Sequence, residues 1–268
     1  MDYMARAIML AMRAKGICKP NPAVGAVVVR DGQIVGEGFT QPAGYAHAEI
    51  GALREAGDLA RDAALYVTLE PCSHHGRTGP CTDAIVAAGV GEVHAAMIDP
   101  SPWVNGRGLG ILKAAGIQVT VGEGAGAARQ LNQGYFTWVE RGRPLVTGVY
   151  DGPSDRAHAL AEDRHLEVIV ADTLELLSDE ADRLVLDRSE SVADTTSWVR
   201  ALESLAGQNI QHVIVDTGAD TLEALMNQGL VDRIALLPRL SAEDLDDEPG
   251  EILAAITLNG LVACSAAS

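Results

Sequence analysis

The feature that most constrains this chain is His47-Ala48-Glu49, set against Pro71-Cys72 and Cys81. One imidazole, two thiols able to ionise and a carboxylate two places after the imidazole make the donor set of a catalytic zinc site, because three protein ligands leave a fourth tetrahedral position for water. A fold that uses this set must bring segments far apart in sequence onto one ion. Glu49 is then the group left to move protons. Free cysteines are usually packing residues, but two of the chain's four cysteines fall in this one pattern, so the cluster reads as a site. A closed structural site normally takes four protein ligands. His74 or His75, in the loop between the cysteines, is the alternative source of a fourth.

The surrounding pattern places both half-sites at helix starts. Residues 1–15 have amphipathic helical spacing, with Asp2, Arg6 and Arg13 among the apolar positions, and so do not read as a signal sequence. Lys19-Pro20-Asn21-Pro22 is a stiff loop, since each proline fixes its own dihedral and biases the residue before it toward an extended form. The β-branched run 24–29 is a buried strand, and Asp31-Gly32 is a hairpin turn that sends 33–38 back antiparallel. Residues 47–56 read as a helix, 64–69 as a strand and 82–88 as a second helix beginning just after Cys81. Strands over 92–98 and 117–121 flank a helix over 109–115. This α-β-β-α-β-α-β-α-β order predicts an α/β sandwich with one antiparallel hairpin. Asn21, held rigidly at the start of a strand, reads either as a turn residue or as a substrate contact. The loop Asp99-Pro100-Ser101-Pro102 to Asn105-Gly106-Arg107-Gly108 reads equally as a pocket wall or as an ordinary connection.

Charge divides the chain. The formal net charge is −17, of which −1 falls on residues 1–142 and −16 on 143–268, and all three lysines lie in the first part. So abrupt a shift predicts two domains, 1–142 and 143–268. An acidic chain without a basic footprint is a poor fit to nucleic acid. No apolar run approaches membrane-spanning length, and four cysteines without a secretory signal suit a reducing cytoplasm and metal binding better than disulfides. With 47% hydrophobic but only 4% aromatic residues, the core must be built mainly from Ala, Val, Leu and Ile.

An H-x-E followed by P-C-x-x-C is the signature of zinc deaminases, in which the Glu is the acid/base and not a ligand. Here the spacing between the cysteines is stretched. Asn21-Pro22, residues 24–29, His47-Ala48-Glu49, the run 67–78 closing on Pro80-Cys81, Asp99-Pro100 and Gly106-Arg107-Gly108 together resemble the deaminase domain of the bifunctional riboflavin-biosynthesis deaminase/reductase family. The resemblance covers about residues 1–145, and the long loop between the cysteines is its distinguishing mark. It implies a cytidine-deaminase-like three-layer α/β/α sandwich. It also implies hydrolytic removal of the 2-amino group from 2,5-diamino-6-ribosylamino-4(3H)-pyrimidinone 5′-phosphate. On the matching positions, His47, Cys72 and Cys81 hold one zinc, Glu49 shuttles protons, Asn21 and His74 contact the substrate, and Arg77 faces its phosphate. Where the family usually carries a substrate-contacting His after Gly36-Glu37-Gly38, this chain has Phe39-Thr40. Thr40 keeps a hydroxyl at that position and loses the imidazole.

From Arg143-Pro144-Leu145-Val146 onward the chain resembles the family's reductase domain, which is similar to dihydrofolate reductase and binds NADPH. Residues 167–170 with Asp172-Thr173, 212–218 and 229–232 carry the likeness, and a helix is expected over 221–226. The Lys- and Ser-bearing strand expected before Asp151-Gly152 is missing, as is the Gly-Thr-rich stretch after it. With no Lys and three acids per Arg, this half is badly suited to binding NADPH and a phosphorylated sugar. The expectation is a shortened, non-catalytic, reductase-like domain kept for packing or homo-oligomerisation, with 244–248 an acidic surface loop. The alternatives are an active NADPH reductase, a zinc deaminase redirected to another aminopyrimidine or purine, and a non-enzymatic metal-bound scaffold. An intact Glu49 argues against the scaffold, which needs no proton carrier.

Overall fold

The computed structural model describes residues 2–74, 79–150, 167–170, 182–185, 195–216 and 219–236. The chain divides into two compact units, Met1–Glu140 and Arg141–Ser268. Among the described residues no helix is long and apolar enough to cross a membrane.

The first unit is built on a five-stranded sheet in the order β2-β1-β3-β4-β5. Its strands are β1 (Gly25–Arg30), β2 (Gln33–Phe39), β3 (Ala64–Val67), β4 (Glu92–Ala95) and β5 (Gln118–Val121). β1 pairs antiparallel with β2 and with β3, and the remaining pairs are parallel. The β1–β2 turn is Asp31-Gly32, both at positive φ (51° and 75°), the backbone that a two-residue hairpin loop requires. Helices α1 (Tyr3–Met12), α2 (Ala48–Ala56), α3 (Cys81–Ala88) and α4 (Arg107–Ala114) fall where the apolar spacing puts them, to within two or three residues at their ends. Three differences matter. The strands expected over 64–69 and 92–98 leave the regular ladder at Val67 and Ala95, because their ends bend away to form the site loops. His47 is the N-cap of α2 and not its first residue. Two further helices follow β5, α5 (Ala125–Leu131) and α6 (Gln133–Arg141); the glycine-rich run 122–126 conceals their start.

Low aromatic content shows in how closely the layers approach. One face of the sheet buries Val28, Leu65, Val67 and Val93 with Ala48, Ala52, Leu53, Ile85 and Leu112 of α2, α3 and α4. The other face buries Val27 and Val29 with Met4, Ala7 and Leu10 of α1 and Ala128 of α5. Alanine faces admit such contact only where the strand offers no Cβ. At Gly38 a Cβ would lie 2.6 Å from the Ala52 nitrogen, and at Gly36 2.7 Å from that of Ala56. Gly25 plays the same part on the opposite face, where a Cβ would lie 2.6 Å from the Ala11 nitrogen. The hairpin is thereby pinned to α2, whose first turn carries the site.

In the second unit the described strands β6 (Leu145–Tyr150), β7 (Glu167–Val170), β8 (Asp182–Val185), β9 (His212–Asp216) and β10 (Arg233–Leu236) form a sheet in the order β7-β10-β6-β9-β8. Its pairings are all parallel. Helices α7 (Thr195–Gly207) and α8 (Ala219–Asn227) bury Trp198, Leu202, Leu205, Leu222 and Leu225 against Val146, Val213, Val215 and Ile234. Asp232, just before β10, accepts bonds from Arg141 (2.7 Å), Arg143 (2.6 and 2.8 Å) and the Val146 amide (2.8 Å). It thus fastens the first strand of the unit to the last described one. Asp151-Gly152, Asp172-Thr173, Thr217-Gly218 and the acidic stretch 244–248 lie outside the described residues.

Candidate active site

The two helix starts converge as the sequence predicts. His47 stands at the N-cap of α2, Cys81 is the first residue of α3, and Cys72 lies in the turn that leaves β3. The His47 Nδ1 is 3.3 Å from the Cys81 Sγ and 3.5 Å from the Cys72 Sγ. A tetrahedral zinc with Zn–N and Zn–S bonds near 2.0 and 2.3 Å separates such donors by about 3.5 Å. The donor set and its spacing therefore fit that ion. Among the described residues, the metal-ligating group is these three alone.

The local backbone supports negative charge at this point. The Cys81 amide donates to the Cys72 Sγ at 3.4 Å and the Thr82 amide to the Cys72 carbonyl at 3.2 Å, so the start of α3 is aimed at the sulfur. The bond from Cys81, helped by His47, holds the Cys72 thiol well below its ordinary range, while Cys81 is raised by its bond to Cys72 and by burial. His47 is raised, chiefly by its bond to Cys72. A thiolate on Cys72, held in a largely buried place, is the kind of ligand a divalent cation takes.

Glu49, in the first turn of α2, is 4% exposed. Burial, with the Cys72 thiolate adding to it, pushes its carboxyl up to about 7, the range suited to giving and taking protons at neutral pH.

These groups form the floor of a cavity of about 350 Å³. Asn21, Thr40, His47, Glu49, Cys72 and His74 all line it, and the buried Cys81 joins them through its contact with His47. Arg77 and His75 lie outside the described residues. Thr40 is 3% exposed, and its hydroxyl accepts the Val24 amide at 3.1 Å and faces the Val24 carbonyl at 3.4 Å. Its hydroxyl is thus engaged by the backbone of β1's approach.

The opposite wall was only partly legible in the sequence. Asp99 and Ser101 line the cavity, as do Trp103, Val104, Tyr135 and Trp138. The 99–108 loop is therefore a pocket wall and not a mere connection. Asp99 is 5% exposed, bonded by the Ser101 amide at 2.8 Å and facing the Tyr135 hydroxyl at 3.4 Å; burial raises its pKa. Glu70, which also lines the cavity, accepts the amides of Gly106 (2.8 Å), Gly108 (2.9 Å), Asp99 (3.3 Å) and Leu109 (3.4 Å). Tyr135 and Trp138, three apart on a helix, carry a sequence signal that an assignment of α6 would have exposed.

Comparison with known proteins follows this division. Residues 1–97 match the cytidine and deoxycytidylate deaminase zinc-binding region, and residues 137–238 match the RibD C-terminal domain. The riboflavin biosynthesis protein RibD of Escherichia coli (strain K12) is 56% identical over 144 residues, which make up 54% of this chain and 39% of that protein. The matched stretch thus spans well under half the length of that curated relative. The diaminohydroxyphosphoribosylamino-pyrimidine deaminase of Buchnera aphidicola subsp. Schizaphis graminum is 42% identical over 142 residues, 53% of this chain and 97% of that protein. The solved structure of Acinetobacter baumannii RibD matches with a TM-score of 0.68 at 31% identity, covering 93% of this chain and 90% of that one. With one relative matched along nearly its whole length and a solved RibD matched through both units, this chain belongs to the RibD family.

Proposed function

We propose that the first unit is a zinc-dependent hydrolytic deaminase acting on 2,5-diamino-6-ribosylamino-4(3H)-pyrimidinone 5′-phosphate in riboflavin biosynthesis. The observation that carries this reading is Glu49, a buried carboxyl beside a three-ligand His47/Cys72/Cys81 triangle on the floor of a pocket. The substrate assignment is supported by the likeness to the Buchnera deaminase.

Held by His47, Cys72 and Cys81, a zinc ion would supply the acidity that makes water a nucleophile at neutral pH. Glu49 takes a proton from the attacking water and gives it to the ring nitrogen. It then takes the proton of the hydroxyl now on the ring carbon and passes it to the amine as the C–N bond breaks and the carbonyl forms, so that water is consumed and ammonia released. Asn21 and His74, on the cavity wall, hold the heterocycle in the attack geometry. Arg77 offers the planar fork suited to the phosphate.

Purified protein incubated with the diaminopyrimidinone phosphate tests the reading: ammonia release at enzymatic rates supports it. Release only from other aminopyrimidines or purines favours the second reading, which Thr40 at the family's usual His position motivates. For the second unit we propose a packing or self-association role without NADPH chemistry, on the ground that residues 143–268 carry no Lys and a net charge of −16. NADPH oxidation in the presence of the deaminated product would contradict that.

A further inference from the structure

We infer that Asn132 is a positioning residue of the active site, acting through the loop that carries Asn21. This rests on the deaminase reading and adds a residue that the site chemistry alone does not point to. Asn132 sits at the corner between α5 and α6 and is 5% exposed. Its carboxamide accepts the Ala23 amide at 2.8 Å and donates to the Ala23 carbonyl at 2.8 Å, a reciprocal pair joining residues 109 apart in sequence.

The Ala23 pair is part of the hydrogen bonding of a short, stiff segment. Pro20 and Pro22 have no amide to offer. The Asn21 amide donates to the Cys18 carbonyl at 2.9 Å, and its carbonyl accepts from the Cys18 thiol at 3.2 Å. The Val24 amide goes to the Thr40 hydroxyl at 3.1 Å, and its carbonyl accepts the Thr40 amide at 2.9 Å. Asn132 reaches the loop from the far end of the unit. The helix it starts also bears Tyr135 and Trp138, which line the same cavity, with Tyr135 facing Asp99. One corner therefore sets the distance between the Asn21 wall and the Asp99 wall. The zinc-binding-region match ends at residue 97, so this corner lies beyond the part of the chain shared with cytidine and deoxycytidylate deaminases in general.

The test is a double-mutant cycle on the full chain with the diaminopyrimidinone phosphate, using Asn21→Ala, Asn132→Ala and the pair. Asn132→Ala should raise KM about tenfold, the scale of a lost buried hydrogen bond, with kcat changed far less and zinc content unaltered. The pair should lose no more than Asn21→Ala alone, because both changes remove the same contact. Multiplied losses, or an unchanged KM in Asn132→Ala, would overturn the assignment. Asn132→Asp, which keeps the acceptor for the Ala23 amide and sets an oxygen against its carbonyl, carries the same test if the alanine variant is insoluble. Exchange of the Ala23 amide should quicken in either variant, and unchanged protection would overturn the inference. Failure of the wild-type chain to release ammonia from the substrate would overturn the deaminase reading itself; wild-type turnover with unaffected Asn132 variants overturns only the role of Asn132.

Discussion

The Glu70 carboxylate accepts the Gly108 amide at 2.9 Å, and a Cβ on Gly108 would come within 3.2 Å of that same carboxylate. Glu70 precedes Pro71-Cys72, so one buried side chain ties the metal-ligand turn to the start of α4 and to the wall that carries Ser101, Trp103 and Val104. Glu70→Ala leaves several buried amides without an acceptor, each costing about 1–3 kcal/mol. It should lower stability by about 2–4 kcal/mol, the scale of one or two such losses with water meeting the remaining amides, read by urea unfolding; a loss below about 0.5 kcal/mol would show all the bonds to be replaceable by water.

Removing a sulfur should remove the metal without unfolding the unit. The first unit's core is an apolar cluster that includes Val28, Leu65, Val93 and Ile85 and neither cysteine, whereas the candidate metal ligands are three side chains. Cys72→Ala and Cys81→Ala should each purify with little zinc by elemental analysis and with wild-type circular dichroism. Chelation of the wild-type chain should stop ammonia release, and added zinc should restore it.

Close packing of α2 on the hairpin gives a paired prediction. Gly38→Ala drives a methyl to 2.6 Å from the Ala52 nitrogen and should destabilise by about 1–3 kcal/mol. Gly110→Ala, in the interior of α4 with nothing within 4 Å of the new carbon, should instead stabilise by about 0.5–1 kcal/mol. Thermal unfolding midpoints moving in opposite directions would bear out both.

In the second unit Asp232 holds Arg143, whose side chain is only 13% exposed, and the Val146 amide. Asp232→Ala leaves that guanidinium poorly solvated. It should cost about 2–3 kcal/mol, below the value for a fully buried pair because Arg141 remains open to solvent. Proteolysis within the second unit, compared with wild type, reads the loss.

The metal triangle, the hairpin and the succession of the first five strands along the chain could be read from the sequence because each has a short-range cause: ligand chemistry, the Asp31-Gly32 turn, and alternation of strand and helix periods. The far wall could be read only in part, as one of two readings of the 99–108 loop. Glu70 and Asn132 look like ordinary polar residues until the backbone amides they satisfy are brought to them from 29 to 39 and 109 positions away. Thr40 was legible as a departure from the family pattern, but its engagement with Val24 depends on how β1 and the end of β2 meet. The start of α5 was hidden by glycines at 122, 124 and 126, of which Gly122 and Gly124 take positive φ.

The measurement that bears most directly on the central claim is turnover by Glu49→Gln, a change that keeps the shape of the side chain and removes its ability to carry protons. With zinc measured in the same preparation, the account predicts about one metal per chain, as expected for three intact ligands, and ammonia release lowered by at least about a thousandfold, within the range of general acid–base contributions. Metal-replete Glu49→Gln that deaminates the substrate at a rate near wild type would contradict it.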